Sequence, residues 1–245
     1  MKNHLSAYTA LYTSTNRHNG VSCAPFHARN LSYAVGDDAE SVFKNRTDLK
    51  SSLSIPYLLS AIQIHGEKIF IAKTALNDDL EVEGYDALMT DVPEIGLMIQ
   101  QADCQAVTLY DPVQSAIAAI HNGWKGSVLN IIAKTVLAMQ KQYDSNPTDI
   151  QAYVSPSLGP CCAEFINHTT ELPKTFLAFQ GKENYFDFWQ ISKMQLMSTG
   201  IAEHNIELAS SCTSCSQDYF SYRRSCRNGD CQTGRCATVI TLRSH

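Results

Sequence analysis

Cys104 and His121 lie 17 residues apart within ADCQAVTLYDPVQSAIAAIHNGWKG, Ala102 to Gly126. Cys104 heads an apolar run, Ala106-Val107-Thr108-Leu109-Tyr110, which Asp111-Pro112 closes as a turn. The chain returns through Ala116 to Ile120, and His121 follows at once. If the two runs lie side by side, the start of one faces the end of the other, and a thiolate meets an imidazole. That pairing suits either a metal site or a Cys–His dyad in which Cys104 is nucleophile and His121 base.

A third donor sits in a similar place. Gln63-Ile64-His65-Gly66 ends a strand-like run as Ile120-His121-Asn122-Gly123 does, and Ala102-Asp103-Cys104 follows another. His65, Cys104 and His121 together suit zinc, a borderline-soft ion that takes imidazole and thiolate in four-coordinate sites. Three protein ligands leave one position for water or substrate. Gly66 and Gly123 would let a substrate approach the backbone closely.

The elements that must position these residues alternate along the chain. Residues 58–64, 96–100, 106–110, 116–120, 150–154 and 236–242 read as strands. A helix is expected from Ser127, its cap, with Val128, Ile131, Ile132, Val136 and Met139 on one face. Further helices are expected near 171–179 and 187–199, the second stopped by Gly200. The stretch to about residue 14 reads as an edge strand or an ordered tail. The expected fold is a single α/β (α+β) domain over residues 1–245, with mixed β-sheets flanked by helices.

Composition narrows the function classes. The 245 residues are 44% apolar and 18% charged, ordinary for a globular protein with a sizeable core. Net charge is −5 and there is no Lys/Arg-rich run, so neither nucleic-acid nor membrane-surface binding has electrostatic support. No apolar stretch reaches bilayer length and the first residues lack the apolar core of a signal peptide, so a cytoplasmic location is expected. Nine cysteines, an odd count, argue against a secreted disulfide framework and for buried, metal-bound or catalytic thiols.

The motifs QIHG, DALMT, ADC, HNGWKG, SPSLGPCC, CT, FSYRR and TGR occur in that order, after GVS, NLSYAVGDD and NR. Over residues 15–242 this pattern resembles the laccase-domain family of YfiH-like proteins, once called multicopper polyphenol oxidases and later described as purine nucleoside phosphorylases. The resemblance implies a catalytic zinc on His65, Cys104 and His121, the same three residues. It also implies phosphorolysis of purine nucleosides, methylthioadenosine included, and deamination of adenosine. Purine nucleosides and phosphate are then the partners; the oligomeric state has no reading.

Deamination needs a carboxylate for proton transfer, and Asp103, beside Cys104, is the one to test. Phosphorolysis needs cations for phosphate, for which Arg46, Arg223 and Arg224 are candidates, because a guanidinium binds phosphate bidentately. Trp124 and Tyr222 could stack on a purine. Copper(II) competes well for nitrogen and sulfur donors, so Cu2+ is the alternative ion. A multicopper oxidase, however, needs clustered histidines, and the chain has eight in all with no His-x-His. A cysteine or zinc hydrolase of peptidoglycan precursors is the other alternative. Cys161 and Cys162 could line the pocket or pack as small buried residues. Cys212-Thr213-Ser214-Cys215 is a CxxC that Cys226, Cys231 and Cys236 follow. Taken alone, these suggest a second, structural zinc, although the resemblance includes only Cys212 in the family pattern.

Overall fold

The computed structural model describes residues 8–244. Its first strands are β1 (Tyr8–Ser14), β2 (Tyr57–Ile62), β3 (Ile69–Ala72), β4 (Leu80–Glu83) and β5 (Ala87–Thr90). Then come β6 (Ile95–Gln101), β7 (Gln105–Asp111), β8 (Ala116–Asn122), β9 (Gln151–Val154), β10 (Ile206–Leu208) and β11 (Cys236–Ser244). The helices are α1 (Ala39–Leu53), α2 (Trp124–Leu129), α3 (Ile131–Tyr143), α4 (His168–Glu171), α5 (Phe188–Ser198) and α6 (Tyr222–Arg227).

The strands form two mixed sheets, ordered β1-β11-β6-β2-β4 and β10-β9-β7-β8-β5-β3. They pack face to face. Leu59, Leu97, Ile99 and Ile240 of the first meet Leu88, Ala106, Ile117 and Ala119 of the second. Alternate residues turn the other way: Val107, Leu109, Ala118 and Ile120 pack on Ile132, Val136 and Met139 of α3 and Leu196 of α5. Met98 and Val239 pack on Leu49 of α1. The result is a helix–sheet–sheet–helix stack, the expected α/β class. Both faces of the central strands are covered, so they read as continuous apolar runs rather than as alternating ones.

Three local expectations are corrected. Ser127 is buried within α2 and caps nothing; α2 starts at Trp124 after Gly123. Asn130, at φ +53°, breaks the predicted helix, and its side chain accepts from the Ala133 N–H to start α3. Val128 therefore leaves the predicted core face and is exposed. The helix expected at 171–179 splits at Pro173 into α4 and a 3-10 turn over Lys174–Phe179, because proline lacks the N–H that would continue it. Among the described residues, α5 runs to Ser198 with Gly200 at φ +99°, and β1 is an edge strand paired only to β11. No helix among the described residues is long and apolar enough to cross a membrane.

Candidate active site

Strand register brings the donors together. β7 and β8 pair antiparallel with Gln105 opposite Asn122 and Ala106 opposite His121, so Cys104 emerges beside Gly123. On the other flank β5 pairs with β8, Ala87 opposite Ile120, so Asp86 emerges beside His121, whose N–H donates to the Asp86 carbonyl at 2.7 Å. The turn after β2 carries His65, held at φ +60°, into the same corner.

Donor atoms of His65, Cys104 and His121 all lie within 4.8 Å of one another. Cys104 Sγ is 3.7 Å from His65 Nε2. A tetrahedron built with zinc–sulfur and zinc–nitrogen bonds of about 2.3 and 2.1 Å has an N···S edge of about 3.6 Å. The two rings stand edge to face with centroids 4.7 Å apart.

Asp86, missed in the sequence, organises this corner. Its fully buried carboxylate accepts from His121 Nδ1 at 2.8 Å, from the His65 N–H at 2.9 Å and from the Gly66 N–H at 2.7 Å. The first bond leaves His121 Nε2 to face Cys104, as a metal-ligating histidine requires. Gly123 is needed for space, since a Cβ there would lie 2.9 Å from Cys104 Sγ. The donor set and the locked ring fit a zinc ion. Without a metal, Cys104 and His121 each favour the other's charged form. Burial pushes the Cys104 thiol up, but the His121 charge and hydrogen bonds from both histidines outweigh it and bring it down to about 6. Burial lowers His121, and the Cys104 thiolate with Asp86 raises it to about 9.

The three donors open onto a cavity of about 690 Å³. Trp124, Phe165, Phe188 and Tyr222 form aromatic parts of its wall, and Arg223 and Arg235 its cations. Asp103 lines it at φ +89° but has both carboxylate oxygens engaged, accepting from Thr213 Oγ1 at 2.7 Å and the Arg223 N–H at 2.6 Å. The Arg223 guanidinium donates to the carbonyls of Cys162 and Glu164, both at 3.1 Å. Arg235, also missed as a site residue although it stands in TGR, donates to the Thr233 and Gly234 carbonyls.

Two expected phosphate ligands are elsewhere. Arg46 is buried, donates to the Leu31 carbonyl at 2.8 Å and pairs with Glu81 at 2.9 Å. Burial raises the Glu81 carboxyl, but Arg46 and its other donors hold it below the usual range. Arg224 spends its guanidinium on the carbonyls of Thr213, Ser214, Ser216 and Tyr219. Neither lines the cavity. The expected cysteine grouping also changes: Cys226 and Cys231 form a disulfide, Cys236 is buried in β11, and Cys212 and Cys215 gather instead with Cys161 and Cys162.

The family model described as multi-copper polyphenol oxidoreductase laccase matches residues 11–243. A Bacteroides thetaiotaomicron protein named purine nucleoside phosphorylase is 32% identical over 241 residues, covering 90% of this chain and 88% of that one. The crystal structure of YlmD from Geobacillus stearothermophilus superposes with a TM-score of 0.86 at 28% identity, over 96% of this chain and 92% of that one. Bacillus licheniformis YfiH gives a TM-score of 0.85 at 30% identity, over 96% and 93%. With a corner of two histidines and a cysteine where the turn after β2 meets the ends of β7 and β8, and likeness of sequence and fold over almost its whole length, the chain belongs to the YfiH-like laccase-domain family.

Proposed function

We propose that this protein is a zinc-dependent purine nucleoside phosphorylase. One observation carries the proposal: the His65–Cys104–His121 corner lies at the wall of a cavity that also presents aromatic rings and two arginines. Its volume, about 690 Å³, falls within the usual range for small-molecule sites. The name of the Bacteroides relative supports the same reaction.

His65, Cys104 and His121 would hold the ion, with Asp86 fixing the His121 tautomer. A zinc ion bound there supplies Lewis acidity and can bring a bound water toward neutral pKa. The aromatic rings take the purine face, since each ring buries a large apolar area at little entropic cost. Arg223 and Arg235, which line the same cavity, draw phosphate, their planes fixed by the carbonyls they already touch. Asp103 serves in this scheme as a positioning residue, because it anchors the Arg223 backbone. Adenosine deamination and methylthioadenosine cleavage are further activities of the same cavity in this reading. With both Asp103 oxygens engaged, deamination is the weaker of the two.

Product analysis separates the reactions. Incubating the zinc-loaded protein with adenosine should release adenine and ribose 1-phosphate only when phosphate is present. Ammonia released without phosphate marks deamination, and no turnover of any purine nucleoside ends the proposal.

A second reading has its own support. Cys104, His121 and Asp86 line up as thiolate, imidazole and carboxylate, the order of a cysteine hydrolase acting on peptidoglycan precursors. That activity would survive chelation. The copper-oxidase reading is weaker, since the two groups of metal-capable donors among the described residues contain only two histidines.

A further inference from the structure

We propose a second metal site, a structural zinc held by Cys161, Cys162, Cys212 and Cys215 behind the arginine wall of the cavity. The four sulfurs lie within 4.8 Å of one another. Cys215 Sγ is 3.5 Å from both Cys161 Sγ and Cys162 Sγ. A disulfide needs about 2.05 Å. Four thiolates around a zinc ion at about 2.3 Å stand about 3.8 Å apart, so the sulfurs are spaced as ligands rather than as bonded pairs.

Two chain segments build the site, and each is shaped for it. Ser157 and Cys212 form a parallel bridge, with Ser157 N–H donating to Ser211 and Thr213 N–H to Ser157. Gly159 begins the turn that presents Cys161 and Cys162; a Cβ there would lie 2.9 Å from the Cys212 Cβ, so only glycine permits the approach. The turn Cys212 to Ser216, closed by the Ser216 N–H on the Cys212 carbonyl, gives the CxxC its bite.

The surroundings suit an anionic cluster, since four thiolates outweigh one divalent ion. The Gly159 N–H donates to Cys212 Sγ at 3.3 Å, and Arg227 Nη1 lies 3.9 Å from Cys162 Sγ. An all-sulfur tetrahedron selects zinc over harder divalent ions. The site also has work to do. Thr213, beside Cys212, holds Asp103, and the Cys162 carbonyl holds the Arg223 guanidinium. An ion joining the two segments would clamp that wall, whatever reaction the cavity performs.

The test is zinc content of the purified full-length protein, prepared anaerobically with reductant. About two equivalents per chain are expected in the wild type, falling to about one in Cys215→Ser and in Cys161→Ser. In His121→Ala the ion at the second site should remain, and cobalt put in its place should show the intense bands of a tetrahedral tetrathiolate. Wild-type protein also carries a test that needs no variant. Zinc should protect Cys161, Cys162, Cys212 and Cys215 from iodoacetamide, and chelation should expose them. Zinc content unchanged by both serine variants, or equal labelling of the four thiols with and without zinc, overturns the site.

Discussion

Replacing Asp86 by Asn tests whether this carboxylate sets the geometry of the three-donor corner. An amide has the same size but one acceptor oxygen. Asp86 now serves His121 Nδ1 and the His65 N–H through one oxygen and the Gly66 N–H through the other. Whichever way the amide turns, its NH2 meets at least one buried donor. An unsatisfied buried donor costs about 1–3 kcal/mol. Loss of the carboxylate behind a ligating histidine weakens metal binding about 10–100-fold, or about 1.4–2.7 kcal/mol at about 1.36 kcal/mol per decade. Urea unfolding of the chelated variant reads the first quantity, and zinc titration against a chromophoric chelator reads the second. Zinc affinity within about twofold of wild type would refute the argument that Asp86 holds His121 for the metal.

Other perturbations follow from the same contacts. In metal-free protein, iodoacetamide should alkylate Cys104 with a midpoint near pH 6, where an ordinary thiol titrates near about 8.5. With Cys104 lowered and His121 raised, the pair's stabilisation is lost as pH falls through about 6 and again as pH rises through about 9. The thermal midpoint of metal-free wild type should therefore exceed that of Cys104→Ala most between those values, and an equal difference at all pH values would contradict the pairing. Gly123→Ala puts a methyl 2.9 Å from Cys104 Sγ and 3.1 Å from His65 Cδ2, so zinc affinity should fall at least about tenfold with about 1–3 kcal/mol of overpacking strain. Arg46→Lys should cost about 1–2 kcal/mol in urea unfolding, by losing the bond to the Leu31 carbonyl and the stacking on Tyr33, and leave the phosphate KM unchanged. A several-fold rise in that KM would return Arg46 to the phosphate site.

The chemistry at strand ends was legible because strand ends are. His65, Cys104 and His121 each follow or head an apolar run; register brings Cys104 to His121, and the turn after β2 brings His65 to both. Asp86 was not legible: one carboxylate before a short strand looks like any turn residue, and only the β5–β8 pairing puts it beneath His121. Arginine chemistry misled in the other direction. A guanidinium that binds phosphate is the same group as one that neutralises a buried carboxylate, and Glu81 stands 35 residues from Arg46. Helix α1 escaped notice because Asn45 and Arg46 share its buried face with Val42 and Leu49, which blurs the apolar stripe. Periodicity ran through Asn130 unbroken, whereas the backbone does not. The CxxC at Cys212 and Cys215 could be read, but its partners lie about fifty residues earlier, beyond any local spacing rule.

In the function proposed, nucleoside cleavage depends on an ion at His65, Cys104 and His121. The most direct measurement is phosphate-dependent release of hypoxanthine from inosine by one preparation, as purified, after chelation and after stoichiometric zinc is returned. Activity, its loss and its recovery are expected, with no recovery in Cys104→Ala. Full activity in the chelated protein would contradict it and favour Cys104 as a nucleophile.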